Sequence, residues 1–218
     1  MSEQSKKRIK QIILIICGTF IQALGLDLAI HAGFGCATLA VFWDGASKLT
    51  HLTIGQTSFA TAMLMIAFCF FYDRKQISWG TLIYQIIYGL FLDLIEPFLR
   101  YFGVPWLDFC LMILGILIMA SGTALYSYAD FGRGSYEALN FSLADRNHWQ
   151  PRYVRIGLDV FFVVVGIIFG GSFGACTIAT ILLSGFVMQF VLEQLRKHNF
   201  IGICHTESSG SHPPEEAD

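Results

Sequence analysis

The chain reads as an all-α polytopic membrane protein: six transmembrane helices in two inverted three-helix repeats, each repeat holding a glycine-initiated connector open to a re-entrant reading. Three observations predict this. Apolar residues make up 55% of the 218 and charged residues only 14%, with a mean hydropathy of +0.59, a balance that ordinary soluble domains do not have. The basic residues are distributed unevenly between the apolar stretches. The first half of the chain also recurs, degenerate but aligned, in the second.

Six apolar stretches fall at about 11–33, 56–72, 79–99, 106–129, 153–171 and 175–195. Each approaches the ~20 residues that a helix needs to cross ~30 Å of hydrocarbon. The fifth is the weakest, because Arg155 and Asp159 lie in its first turns. The first follows a basic start and is too long, and too poor in small-residue cleavage chemistry near Gly33 to Gly35, to read as a signal peptide. It is expected to be a retained span.

With the N-terminus inside, the cytoplasmic side collects Lys6, Lys7, Arg8, Lys10, Arg74, Lys75, Arg133, Arg146, Arg152, Arg155, Arg196 and Lys197, leaving only Lys48 and Arg100 outside. Short cytoplasmic loops carry such an excess, so both termini are expected in the cytoplasm of a bacterial plasma (inner) membrane. Residues 1–10 form a basic cytoplasmic N-terminus, 11–103 the first repeat, 104–200 the second and 201–218 a disordered tail rich in acidic and polar residues.

The repeat is read from Gly18, Gly25, Leu28, Ala32, Phe34, Gly35 and His51, which reappear as Gly115, Gly122, Leu125, Ala129, Phe131, Gly132 and His148. After one gap Thr81 and Gly89 answer to Thr177 and Gly185. A unit of three spans repeated in series inserts the second time upside down.

Two connectors, GFGCATLAVFWDGASKLTHLT after the first span and DFGRGSYEALNFSLADRNHWQP after the fourth, are too long for tight turns and too apolar for solvated loops. Each is expected to bend at its glycines and then form a short helix. If both dip inward, their N-termini point at the midplane from opposite sides, where unpaired N–H groups favour an anion. Gly132 and Gly134, flanking Arg133, would let backbone approach a ligand. The alternative is that these glycines only end a helix.

Ionisable residues at membrane depth are candidates for function. Asp93 and Asp159 are the deepest by position. Asp93 follows Gly89 by one helical turn, and the second copy has Gln189 after Gly185, which suggests a face that packs closely and turns inward. Asp93 has two readings, a substrate or proton path and a structural hydrogen bond. Arg155 and Asp159, four apart, read as a local ion pair. Glu137 stands where the first copy has Ala40 and is either the main acid of a cavity or a surface charge. Gln22 and Gln85 read as helix-bridging amides. The paired glycines of the first and fourth spans read as close packing.

Several classes are excluded. A net charge of −2 leaves no nucleic-acid footprint. The six cysteines show no CxxC spacing, and His198, Cys204, His205 and His212 match no zinc pattern, so no metal site is expected. GxSxG, HExxH, P-loop and dinucleotide motifs are absent from the sequence, so neither a cofactor nor catalysis is expected.

The pattern resembles the YczE/YyaS/YitT group of small bacterial integral membrane proteins, over about residues 11 to 195. Members typically show A-x-L-G-x-x-P-W-D-x-L after the first span of a repeat, and G-T near the start of the third, with G and an acid following. This chain has Ala32, Phe34 and Gly35, then Ala129, Asp130, Phe131, Gly132, Gly134, Ser135, Glu137 and Leu139. It also has Gly80, Thr81, Gly89 and Asp93, then Thr177, Gly185 and Gln189. The motif proline is missing from both copies, and its acidic position is Ala40 in the first and Glu137 in the second. The resemblance implies the fold, and a transporter without a settled substrate.

The leading expectation is therefore a small secondary transporter or permease with a midplane site. Its substrate-binding residues would be Asp93, Gly132, Arg133, Gly134, Ser135, Glu137 and Gln189. Its partners would be the lipid bilayer, an unknown small solute and, through the glycine faces, a second copy of the chain. The rival is a non-transporting membrane protein that binds or assists a protein partner, its connectors flat on the membrane and its midplane tightly packed.

Overall fold

The computed structural model describes residues 3–72, 79–99, 103–129 and 134–197. Among the described residues eight α-helices and no strand appear. They are α1 (Glu3–His31), α2 (Thr38–Thr50), α3 (Ile54–Tyr72), α4 (Trp79–Ile95, continued by one 3-10 turn at Glu96–Phe98), α5 (Pro105–Tyr128), α6 (Ser135–Asn147), α7 (Pro151–Ile168) and α8 (Ala175–Lys197). Five are long and apolar enough to cross a membrane, namely α1, α3, α4, α5 and α8. The sixth expected span is α7, whose 18 residues reach about 27 Å but include Arg152, Arg155 and Asp159.

Both connectors form helices of 13 residues, α2 and α6, that start and stop at matching points of the two copies. Each closes on a histidine in the left-handed region, His51 at φ 60° and His148 at φ 54°. The His51/His148 match is thus a shared helix-ending conformation.

The most extensive pairing joins α1 to α5. A Cβ added at Gly25 would come within 2.6 Å of the Gly115 carbonyl, and one at Gly115 within 2.7 Å of the Gly25 carbonyl. Gly18 and Gly122 make the same reciprocal approach, at 3.1 and 2.7 Å. Rising numbers on α1 meet falling numbers on α5, so the two helices run antiparallel. In lipid no hydrophobic force draws helices together, and small residues that let backbones touch supply the packing instead.

The other pairings come in matched sets. Helix α4 lies on α1 as α8 lies on α5, α3 on α6 as α7 on α2, and α2 on α3 as α6 on α7. Only the α3–α4 seam lacks a counterpart, because α7 and α8 do not pack on each other comparably. Gly55 and Gly89 close that seam, with a Cβ at Gly89 only 3.0 Å from the Gly55 carbonyl. Gly185, the partner of Gly89 in the repeat, meets nothing within 4 Å, and Gln189 beside it is exposed. The inward-packing face expected for both copies therefore exists only in the first. The outward faces are apolar, with Phe71, Leu90, Val160, Leu182 and Phe186 all exposed, as lipid-facing helices require.

Replacing Gly25 by Ala drives a methyl into the backbone of α5, and we expect a loss of roughly 1–3 kcal/mol, read as a melting temperature lower by several degrees in detergent. Gly157→Ala, where nothing lies within 4 Å, is expected to leave the melting temperature unchanged or slightly raised.

Candidate functional site

A cavity of about 140 Å³ lies among the helices and is lined from every one of them except α3. Both short helices begin at its wall: Ala37, Thr38, Leu39 and Ala40 from α2, and Gly134, Ser135, Tyr136 and Glu137 from α6. These residues correspond one for one in the two copies. So do Tyr84 and Tyr88 of α4 with Thr180 and Ser184 of α8, all four of which line the cavity.

Buried backbone polar groups need partners, and the start of α2 finds them in the loop between α7 and α8. The Cys36 amide donates to the Ser172 carbonyl at 2.8 Å, and the Cys176 amide to Phe34 at 3.0 Å. The Thr177 hydroxyl donates to the Cys36 carbonyl at 2.6 Å. Gly35, at φ 93°, makes the bend, with Gly174 packed on it so closely that a Cβ would lie 2.9 Å from the Gly174 Cα. Further along α2, Asp44 accepts from the Ser172 amide and from Lys48, both at 2.7 Å. Lys48 also donates to the Gly170 carbonyl at 3.2 Å. Burial pushes the Cys36 thiol up to about 12, so it behaves as a small apolar group.

The start of α6 is held differently. Glu137 accepts a short hydrogen bond from the Tyr126 hydroxyl and another from the Gly134 amide at 3.1 Å. A Cβ at Gly134 would fall 2.8 Å from the Tyr126 hydroxyl oxygen, so glycine lets these groups converge. Ser135 donates to Gln85 at 3.0 Å, and Tyr84 donates to Gln22 at 2.8 Å. Both glutamines therefore bridge helices, and both also line the cavity.

One wall is aromatic. Trp43 packs on Tyr88 at 6.0 Å between ring centroids, Tyr88 stacks on Tyr84 at 5.7 Å, and Tyr84 on Tyr126 at 4.4 Å. This ladder runs from α2 to the Glu137 end. Sequence reading passed over it because tyrosines in an apolar span look like packing. The available signal was that positions 84/180 and 88/184 carry a hydroxyl in both copies, one helical turn apart.

Of the residues singled out from sequence, Gly134, Ser135 and Glu137 come together at the cavity. Gly132 and Arg133 lie outside the described residues. Asp93 and Gln189 do not line it. Asp93 accepts from the Gly55 amide at 3.0 Å and the Thr53 hydroxyl at 2.9 Å, and so caps the start of α3 from α4. Gln189 bonds Glu193 at 3.2 Å on the outside of α8. Arg155 and Asp159 line the cavity without the expected ion pair. Asp159 accepts from the Tyr136 hydroxyl at 2.7 Å, and the Arg155 guanidinium lies 6.0 Å above the Tyr136 ring. Asp27, 2% exposed, buries a carboxyl oxygen that finds no hydrogen-bond partner among the described residues.

Apolar outer helix faces enclosing a partly polar interior define a polytopic α-helical membrane protein. The chain belongs to DUF6198, a family of unknown function, whose model matches residues 9–193. It is 25% identical over 199 residues to the uncharacterized membrane protein YczE of Bacillus subtilis (strain 168), covering 90% of this chain and 93% of that one. An uncharacterized protein of Haemophilus influenzae is 26% identical over 84% of each chain. YyaS, an uncharacterized protein of Bacillus subtilis, is 24% identical over 83% of this chain and 92% of its own. No solved structure matches the chain.

Removing the trans cap with Asp93→Ala is expected to cost about 1–2 kcal/mol of stability. Thermal melting in detergent checks the loss, and Asp93→Asn, which keeps one acceptor oxygen, is expected to recover part of it.

Proposed function

We propose that this chain is a small secondary transporter of a bacterial inner membrane, built from two inverted repeats with both termini in the cytoplasm, and that the cavity is its solute site. The observation that carries this reading is the cavity itself: equivalent residues of both copies line it, and two short helices start at its wall. The antiparallel α1–α5 crossing and the matched pairings support the inverted repeat. A partner-binding protein with flat connectors and a filled midplane is harder to reconcile with α2 and α6 starting at a cavity.

The two seams supply a working cycle. Helices α3 and α4 are closed on each other at Gly55 and Gly89, whereas α7 and α8 both line the cavity without packing on each other to the same extent. Alternating access follows if the halves exchange these arrangements, α7–α8 closing as α3–α4 opens. Solute held between the halves would then face the other side. Glu137 and Ser135 would contact it directly, and Asp159 would serve the open side.

Transport is tested with purified protein in liposomes, by exchange of solutes that raise its melting temperature. Glu137→Gln is expected to slow exchange about tenfold or more, as loss of a charge-assisted contact worth ~1.5–3 kcal/mol implies, with melting little changed. A cysteine placed at Ser184 is expected to react with an impermeant maleimide from the side of the N-terminus only. Stabilising solutes that never cross the membrane would overturn the reading.

A further inference from the structure

The starts of α2 and α6 differ in one decisive respect. In α6 the protein supplies its own carboxylate, Glu137, which accepts from the N-cap amide of Gly134. In α2 the matching residue is Ala40, and no side chain caps Ala37. Among the described residues no acceptor meets the amides of Thr38, Leu39 and Ala40 at the head of this 13-residue helix, against the cavity. Such a group of N–H donors at the positive end of a helix calls for an acceptor of negative charge.

A second donor stands beside them. Trp43, one turn beyond Ala40 on the same helix face, is among the residues lining the cavity and is 7% exposed. Its indole N–H is buried without a hydrogen-bond partner among the described residues. An indole N–H has no acceptor capacity of its own, and leaving a buried donor unmade is costly. It therefore points to the same kind of missing group, an oxygen acceptor. The volume is right for a compact solute, since about 140 Å³ is roughly five times the volume of a water in the liquid.

Building on the solute-site reading of this cavity, we infer that it takes a small organic carboxylate, whose carboxylate docks on the open start of α2 and on the Trp43 indole. The ligand's carboxylate there takes the place that Glu137 fills at α6. Its other end faces Glu137 and Tyr126, which select a hydrogen-bond donor such as a hydroxyl or an ammonium group.

Thermal stabilisation of the full-length protein in detergent tests this with matched pairs: acetate and acetamide, lactate and lactamide, glycine and glycinamide, succinate and succinamide. At least one carboxylate is expected to raise the melting temperature while its amide does not. Trp43→Phe, which keeps a ring in place, should weaken that carboxylate about tenfold, the value of a hydrogen bond to a charged group. Trp106→Phe, at an exposed site away from the cavity, should leave its affinity unchanged. Ala40→Glu, which fills the position from within, should abolish binding; if that variant does not fold, Trp43→Phe decides alone. The inference is overturned if amides stabilise as well as acids, if Trp43→Phe binds with unchanged affinity, or if no carboxylate acts up to about 10 mM. Carboxylates that bind but are not carried across liposomes would leave it standing and remove the transport reading. Carriage of a non-carboxylate would do the reverse.

Discussion

Everything in this molecule is referred to the antiparallel crossing of α1 and α5. At Gly18/Gly122 and Gly25/Gly115 each backbone carbonyl occupies the space where the facing residue's Cβ would be. Because a lipid environment gives no reward for hiding apolar surface, this direct backbone contact is what fixes one half of the chain against the other. Its reciprocity also sets the symmetry. With α1 and α5 exchanged, α4 and α8 hold equivalent pairings, and α2 and α6 both start at the wall of one cavity.

Holding the start of a helix inside the bundle favours a partner for each amide and carbonyl buried around it. The two connectors solve this unequally. The approach to α2 is stitched to the α7–α8 loop through Cys36, Ser172 and Thr177, with Asp44 and Lys48 clamping the next turns. The start of α6 is held by Glu137, Tyr126 and Ser135 to α5 and α4. The first arrangement uses up backbone groups before the helix and leaves its first amides open. The second closes its N-cap with a side chain. A symmetric scaffold thus carries two chemically distinct ends.

How much of this was legible depends on the range of the interaction. Span positions, connector helices and the glycine pairs follow from periodic or local patterns, and the helices sit within a few residues of where the sequence places them. Asp93 was singled out because it is charged and lies one turn from Gly89, and that face does pack inward, but against α3 rather than the cavity. No local signal separates these outcomes, because both bury an acid beside a glycine. Gly185 repeats the motif without the contact, since its neighbour in space is absent. Arg155 and Asp159 have the spacing of an ion pair, yet Tyr136, a residue of another helix, lies between their roles. The aromatic ladder joins residues from three helices, and along the chain its only trace is the hydroxyl carried at positions 84/180 and 88/184.

The asymmetry of the two seams can be traced to a single pair of positions. Closing α3 on α4 needs a residue without a side chain on both faces, and Gly55 opposite Gly89 provides that. Gly185 answers Gly89 in the repeat, but Gly55 answers to Pro151 or Arg152, on either side of the one-residue gap, and neither is glycine. Without a glycine pair of this kind, α7 and α8 do not pack on each other as α3 and α4 do. A bundle whose two halves were identical would have no reason to prefer one seam over the other. Here a glycine pair closes α3 on α4, while α7 and α8 both border the cavity without packing on each other to the same extent.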